Sequence, residues 1–212
     1  MKYSERTVKT VPLGSGLTYL VLAESDTIPS EAELVALCKP ENLAGESKGG
    51  STLTYSVTVH QESDDHGTLS REVLTEEDVK MKFGLFSWGL HSMAKLIRTG
   101  RVVKSPDGRF NTLKIGGLDN DTNKQYIVIF KHTDKKYSPL YVAMIGSNGA
   151  GLSIPFARDS VSKLEPEFSG IPCDNEGTRV IIFEDLGAEG DEPTADPTAE
   201  PTADPAEDPD AE

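Results

Sequence analysis

From about residue 53 to residue 183, apolar and polar positions alternate one by one over much of the chain. Leu53, Tyr55, Val57 and Val59 alternate with Thr54, Ser56 and Thr58. Successive side chains of a strand point to opposite faces, so this spacing predicts a half-buried strand with one apolar face. Val79, Met81, Phe83 and Leu85 repeat it, with Lys80 and Lys82 opposite. β-branched and aromatic runs at 126–130, 141–145, 152–156, 163–168 and 179–183 predict further strands. Turn-forming residues separate them at 119–123, 135–139 and 147–151, the spacing of an antiparallel meander.

One helix is expected. Leu90, Met93, Ala94 and Ile97 share a face at helical spacing, Ser87 can cap the start and Gly100 can stop the end. A helix this short cannot form a layer, so it should cover a sheet face or plug one end. Residues 28–50, punctuated by Pro29, Pro40, Gly45, Gly49 and Gly50, are expected to form a long loop with a short structured piece. Such loops are uncommon in compact domains unless they bind something. The fold class is therefore mainly β, with one domain over 1–186. Beyond Leu186 the chain becomes an acidic Pro/Thr/Ala tail, 187–212, with Pro193, Pro197, Pro201, Pro205 and Pro209 at every fourth position. Proline at that period excludes helix and paired strand, so the tail is expected to be disordered.

Charge changes this picture by its distribution. The chain carries 35 acids and 21 bases, a net of −14, but ten of the acids and none of the bases lie in 187–212. The remaining domain is mildly acidic and shows no run of Lys and Arg of the kind that grips a phosphate backbone. Cys38 and Cys173 are too few for a disulfide framework and read as reduced thiols, with a single bridge as the alternative. The amino terminus lacks the apolar run of a secretory signal and no stretch approaches a membrane span, so synthesis in the cytoplasm and no membrane partner are expected.

Candidate chemistry is sparse. Asp119, Asp121 and Asn123 occupy the first, third and fifth positions of a calcium loop, but Lys124 replaces the required glycine and Phe130 the closing Glu, so a hairpin turn is the better reading. The glycines between Gly146 and Gly151 fit neither phosphate-binding spacing, and a strand rather than a helix is expected to follow. His60 with Asp64, Asp65 and His66 reads as a solvated polar loop without metal-ligand spacing. His91 and His132 are lone imidazoles, for which hydrogen-bonded structural roles are expected. Trp88 follows Phe83, Leu85 and Phe86 and reads as core. Gly49, Gly50, Gly116 and Gly117 suit tight turns or close approach between subunits. No converging acid-base or nucleophilic pair is visible, so no catalytic, cofactor or metal site is expected and an enzyme ranks last.

Read as a whole, residues 9–185 resemble the tail tube (major tail) proteins of phages and prophages of Gram-positive bacteria. The likeness is carried by Val11-Pro12-Leu13-Gly14-Ser15-Gly16, a strand at Tyr19, Thr27-Ile28-Pro29-Ser30, Asn42-Leu43-Ala44-Gly45 and Asp64-Asp65-His66-Gly67. Its densest part is Lys82-Phe83-Gly84-Leu85-Phe86-Ser87-Trp88, Lys114-Ile115-Gly116-Gly117-Leu118-Asp119-Asn120 and Ile145-Gly146-Ser147-Asn148-Gly149-Ala150-Gly151. Phe156-Ala157-Arg158-Asp159 and Asp174-Asn175-Glu176-Gly177-Thr178 complete it.

The resemblance implies an antiparallel β-sandwich with one short flanking α-helix, assembled as hexameric rings stacked into a tube. It implies a structural virion protein of the tail, assembled in the host cytoplasm, whose lumen passes DNA without binding it specifically. Its partners would be copies of itself and the tape measure, tail terminator and distal tail proteins. Residues 28–50 would then suit contacts between subunits. The alternatives are the inner tube of a contractile tail or tail-like bacteriocin, and an Ig-like adhesion or capsid decoration module.

Overall fold

A computed structural model describes residues 16–63, 70–121, 123–132, 138–154, 156 and 163–186. The acidic tail at 187–212 lies outside the described residues, as do Asp64, Asp65 and His66.

The chain is mainly β, and every strand pairing among the described residues is antiparallel. Strand β1 (Gly16–Leu22) is followed by helix α1 (Glu31–Leu37) and a 3-10 turn (Pro40–Asn42). Two long strands, β2 (Leu43–Ser63) and β3 (Ser70–Leu85), come next, then helix α2 (Leu90–Leu96). A small hairpin, β4 (Arg101–Lys104) and β5 (Asn111–Lys114), precedes a second 3-10 turn (Leu118–Asn120). Strands β6 (Tyr126–His132), β7 (Leu140–Asn148), β8 (Glu167–Gly170) and β9 (Ile181–Glu184) complete the fold.

The main sheet runs β6-β1-β2-β3-β8-β7-β9, and β6 also pairs with β7. The pairings therefore close on themselves through β6, β1, β2, β3, β8 and β7. β7 serves three neighbours: β6 along one edge, and β9 then β8 along the other. The order is not the simple meander that turn spacing suggests, because β1 pairs with β6 and β3 with β8 across long sequence separations.

Closure gives β1, β6 and β7 two apolar faces. Leu20, Val128, Val142 and Met144 pack with Met81, Phe83, Leu85 and Phe168 in one cluster. Met93 and Leu96 of α2 join that cluster, so the helix packs against the same core. Phe83 and Phe168 stack at 5.6 Å between ring centroids. The alternate residues, Tyr19, Ile127, Ile129, Tyr141, Ala143 and Ile145, form a second cluster with Leu34 of α1 and Cys173. Strands buried on both sides read as continuous apolar runs, which is why 126–130 and 141–145 stand out in the sequence.

Several expectations are corrected. Residues 28–50 are an ordered helix, a 3-10 turn and the start of β2 rather than a long loop. There are two helices among the described residues, not one. Helix α1 begins with a capping arrangement in which the Glu33 carboxylate accepts from the Ser30 backbone N–H at 3.0 Å and hydroxyl at 2.8 Å. Those bonds hold the Glu33 carboxyl below its ordinary pKa. Gly89, not Ser87, caps α2, and the Ser87 hydroxyl accepts instead from the Glu46 N–H at 3.1 Å. Residues 151–154 form no strand; Leu152 and Ile154 pack partly buried against the first cluster. In 163–168 Leu164 makes only an isolated bridge to Leu85, and β8 starts at Glu167. Residues 119–123 do not join a hairpin: they carry the chain from β5 in the small sheet to β6 in the large one.

Candidate assembly surface

Strands β2 and β3 pair from Ser47↔Leu85 out to Ser63↔Ser70. Strand β1 covers β2 only as far as Glu46, and β8 covers β3 only at Lys80–Lys82. Beyond those points the two strands pair with each other alone among the described residues. They form a two-stranded arm with both edges unpaired. The run Ser51-Thr52-Leu53-Thr54-Tyr55-Ser56-Val57-Thr58-Val59 favours such a ribbon, since β-branched and aromatic side chains fit a pleated surface.

Register sorts the arm into two faces. Leu53 lies opposite Met81 and Tyr55 opposite Val79, so the apolar face of the first cluster continues onto the arm. After Val57, a bulge at Thr58/Val59 brings Leu74 opposite Val59, and Thr75 bonds the Thr58 carbonyl through its hydroxyl at 3.0 Å. The bulge keeps Val59 and Leu74 in one stripe with Val57 and Tyr55. Met81 and Val79 are buried, but Tyr55 is 60% exposed, Val57 46% and Leu74 53%. The alternation predicts a half-buried strand; here its distal part carries an uncovered apolar stripe. The opposite face holds Thr54, Ser56, Thr58, Glu76 and Asp78.

At the base of the arm, Glu76, Glu77 and Asp78 border a groove with Arg179. Arg179 pairs with Glu77 at 3.3 Å, and the Tyr55 hydroxyl lies 3.4 Å from the same carboxylate. The arm is acidic: its described residues, 53–63 and 70–79, hold five acids and one base.

A second surface is basic. The end of α2, the start of β4, the second 3-10 turn and the ends of β6 and β7 enclose a cleft of about 270 Å³ lined by Lys95, Arg98, Arg101 and Lys124, with Asp119 as the acid among them. Arg98 is held by Asp121 at 2.7 Å and by the Asn123 side chain at 3.0 Å. The Asn123 N–H, and then the Arg98 guanidinium, hold the Asp121 carboxyl below its ordinary value. Arg101 donates to the Gly116 carbonyl at 3.1 Å. Lys95 donates to the Leu20 carbonyl at 3.0 Å, and burial lowers its pKa. At the back of the cleft Asn148, 5% exposed, donates to the Leu96 carbonyl at 2.7 Å and the Gly151 carbonyl at 2.9 Å, and accepts from the Ala150 N–H. It thus terminates α2 and folds the turn after β7.

The residues singled out from sequence fall as follows. Asp121 and Asn123 serve Arg98, while Asp119 lies on the cleft, so the calcium pattern does not converge on one point. Gly146 packs where a Cβ would collide with the Ser169 carbonyl, and Gly151 turns with φ 81°. Gly116 and Gly117 make a tight turn with φ 105° and 86°, held by Asn120 donating to the Gly116 carbonyl at 3.0 Å. Gly50 has φ 78° where the β2 register shifts between Ser47 and Ser51. His60 pairs with Glu62 at 3.2 Å on the exposed arm. His91 is exposed, whereas His132 is buried and its Nε2 has no hydrogen-bond partner among the described residues. Trp88 packs partly buried against the first cluster. Cys38 and Cys173 are free thiols, and burial raises the pKa of both. Among the described residues, no three His, Cys, Asp or Glu side chains gather in a way that could hold a metal, and no helix is long and apolar enough to cross a membrane. No protein-family model and no curated protein matches the chain.

Proposed function

We propose that this chain is the repeating subunit of a phage tail tube, a structural virion protein whose copies form hexameric rings stacked into a conduit for DNA. The observation that carries the reading is the β2–β3 arm, with two unpaired edges and an uncovered apolar stripe. Exposed ribbons of this kind template pairing with other chains, and natural proteins leave them open where another chain completes the sheet. The resemblance over residues 9–185 supports the same role. In it the closed sheet and its two apolar clusters would form the body of each subunit, and the arm would reach a neighbouring copy. The tape measure, tail terminator and distal tail proteins would meet the tube at its axis and ends, and DNA would pass without specific binding.

The test is negative-stain microscopy and sedimentation of the purified full chain across a wide concentration range. Rings and tubes with a constant diameter are expected. A monomer at every concentration and salt condition would overturn the reading.

A further inference from the structure

The arm and the basic cleft are complementary in charge and alike in apolar character. We propose that the acidic arm of one copy docks on the basic cleft and β4–β5 hairpin of the next, in a head-to-tail contact repeated around the ring. The inference rests on the tube reading and adds which surfaces join.

Three observations carry it. Among the described residues, 53–63 and 70–79 hold five acids and one base, whereas 95–124 hold seven bases and three acids. The mild net charge of the domain thus conceals two oppositely charged lobes. Second, the cleft gathers Lys95, Arg98, Arg101 and Lys124 around one concavity, with Asp119 as the acid among its lining side chains. Third, each lobe exposes large apolar side chains. Tyr55, Val57 and Leu74 line the arm, and on the β4–β5 hairpin and the turn after it Phe110 and Ile115 are both 58% exposed while Leu118 is 93% exposed.

A second copy is the occupant because one chain carries both halves. The distal arm pairs only with itself among the described residues, so its stripe needs a cover from outside. A surface joining two different patches is heterologous, and copies joined that way build rings when the rotation closes. Opposite charge sets orientation and suppresses arm-to-arm pairing between like-charged ribbons, while the apolar stripe contributes burial.

Charge exchange tests this in the full chain. In one variant Glu72→Lys and Glu76→Lys replace two of the arm's acids by bases; in the other Arg101→Glu and Lys124→Glu replace two of the cleft's bases by acids. Each alone is expected to stay a folded monomer by circular dichroism and sedimentation, raising the concentration needed for rings at least tenfold. An equimolar mixture is expected to restore rings, because the lysines of each altered arm then meet the glutamates of an altered cleft. Should a reversal unfold the chain, Glu72→Gln with Glu76→Gln, and Lys124→Gln, keep the test open by weakening assembly without repulsion. Wild-type rings with reversal or neutral variants that assemble equally well, or a mixture that stays dispersed, overturn the docking mode alone. A wild type that never assembles overturns the tube reading itself.

Discussion

Replacing Asn148 by Ala removes the knot that joins α2, β7 and the turn after it. The side chain makes two donated bonds, 2.7 Å to Leu96 and 2.9 Å to Gly151, and accepts one at 3.2 Å from Ala150. Leu96 is 1% exposed, so water cannot readily replace the lost donor at its carbonyl. Each such bond contributes about 1 kcal/mol net, and an orphaned buried carbonyl costs about the same again, so Asn148→Ala should lose about 3 kcal/mol. With a slope near 2 kcal/mol per molar for a domain of this size, the urea midpoint should fall by about 1.5 M at unchanged slope.

Asn148→Asp sharpens the test. It keeps shape and acceptor but sets a carboxylate against two carbonyl oxygens, which raises its folded pKa above the ordinary value of about 4. The native state then binds the proton more tightly than the unfolded one. The penalty is therefore full above the folded pKa and shrinks as pH falls through it, when the protonated acid can donate again. The gap between Asn148→Asp and wild type should narrow towards about pH 4, while the gap for Asn148→Ala should not. A midpoint shift under about 0.3 M for Asn148→Ala, or parallel pH profiles for both variants, would refute the reasoning.

Two other sites give expected outcomes. A Cβ at Gly45 would strike the Ser87 backbone carbonyl, where no flexible side chain can yield, so Gly45→Ala should cost about 3 kcal/mol in thermal or urea unfolding. Glu165 lies 2.8 Å from Lys163 and 2.9 Å from Lys82, whose hydrogen bonds bring its pKa down to about 2. The stabilisation from this trio is present above the ordinary value of 4.5 and lost as pH falls towards about 2; NMR titration should place its midpoint there, and Lys82→Met with Lys163→Met should return it to the ordinary range.

Much of the sheet was legible because burial on both faces leaves an unmistakable apolar run at β6 and β7. Helix α1 was less so. Ser30 and Glu33 stand at capping-box spacing and Leu34 and Leu37 lie one turn apart, yet the surrounding prolines and glycines favoured a loop. The arm shows a limit of alternation: a period of two tells which side chains share a face, not whether anything covers that face. Cleft residues Lys95, Arg98, Arg101 and Lys124 spread over thirty positions and meet only because β6 crosses back beside β1. A charge count by window, rather than by whole domain, would have flagged both lobes from sequence.

The pairing of β1 with β6 also sets a timetable for the growing chain. A ribosome releases β2 and β3 well before β6, and a local hairpin closes in microseconds while residues emerge several per second. The exposed ribbon is thus released before β6 can join the sheet, beside sister chains on the same message. Its surplus of acids then acts as a gatekeeper against premature pairing of nascent chains. The basic cleft comes late, since its lining extends to Asn148 and β6 and β7 must be in place to shape it. On the docking proposed above, translation order would delay recognition between copies until β6 and β7 are in place.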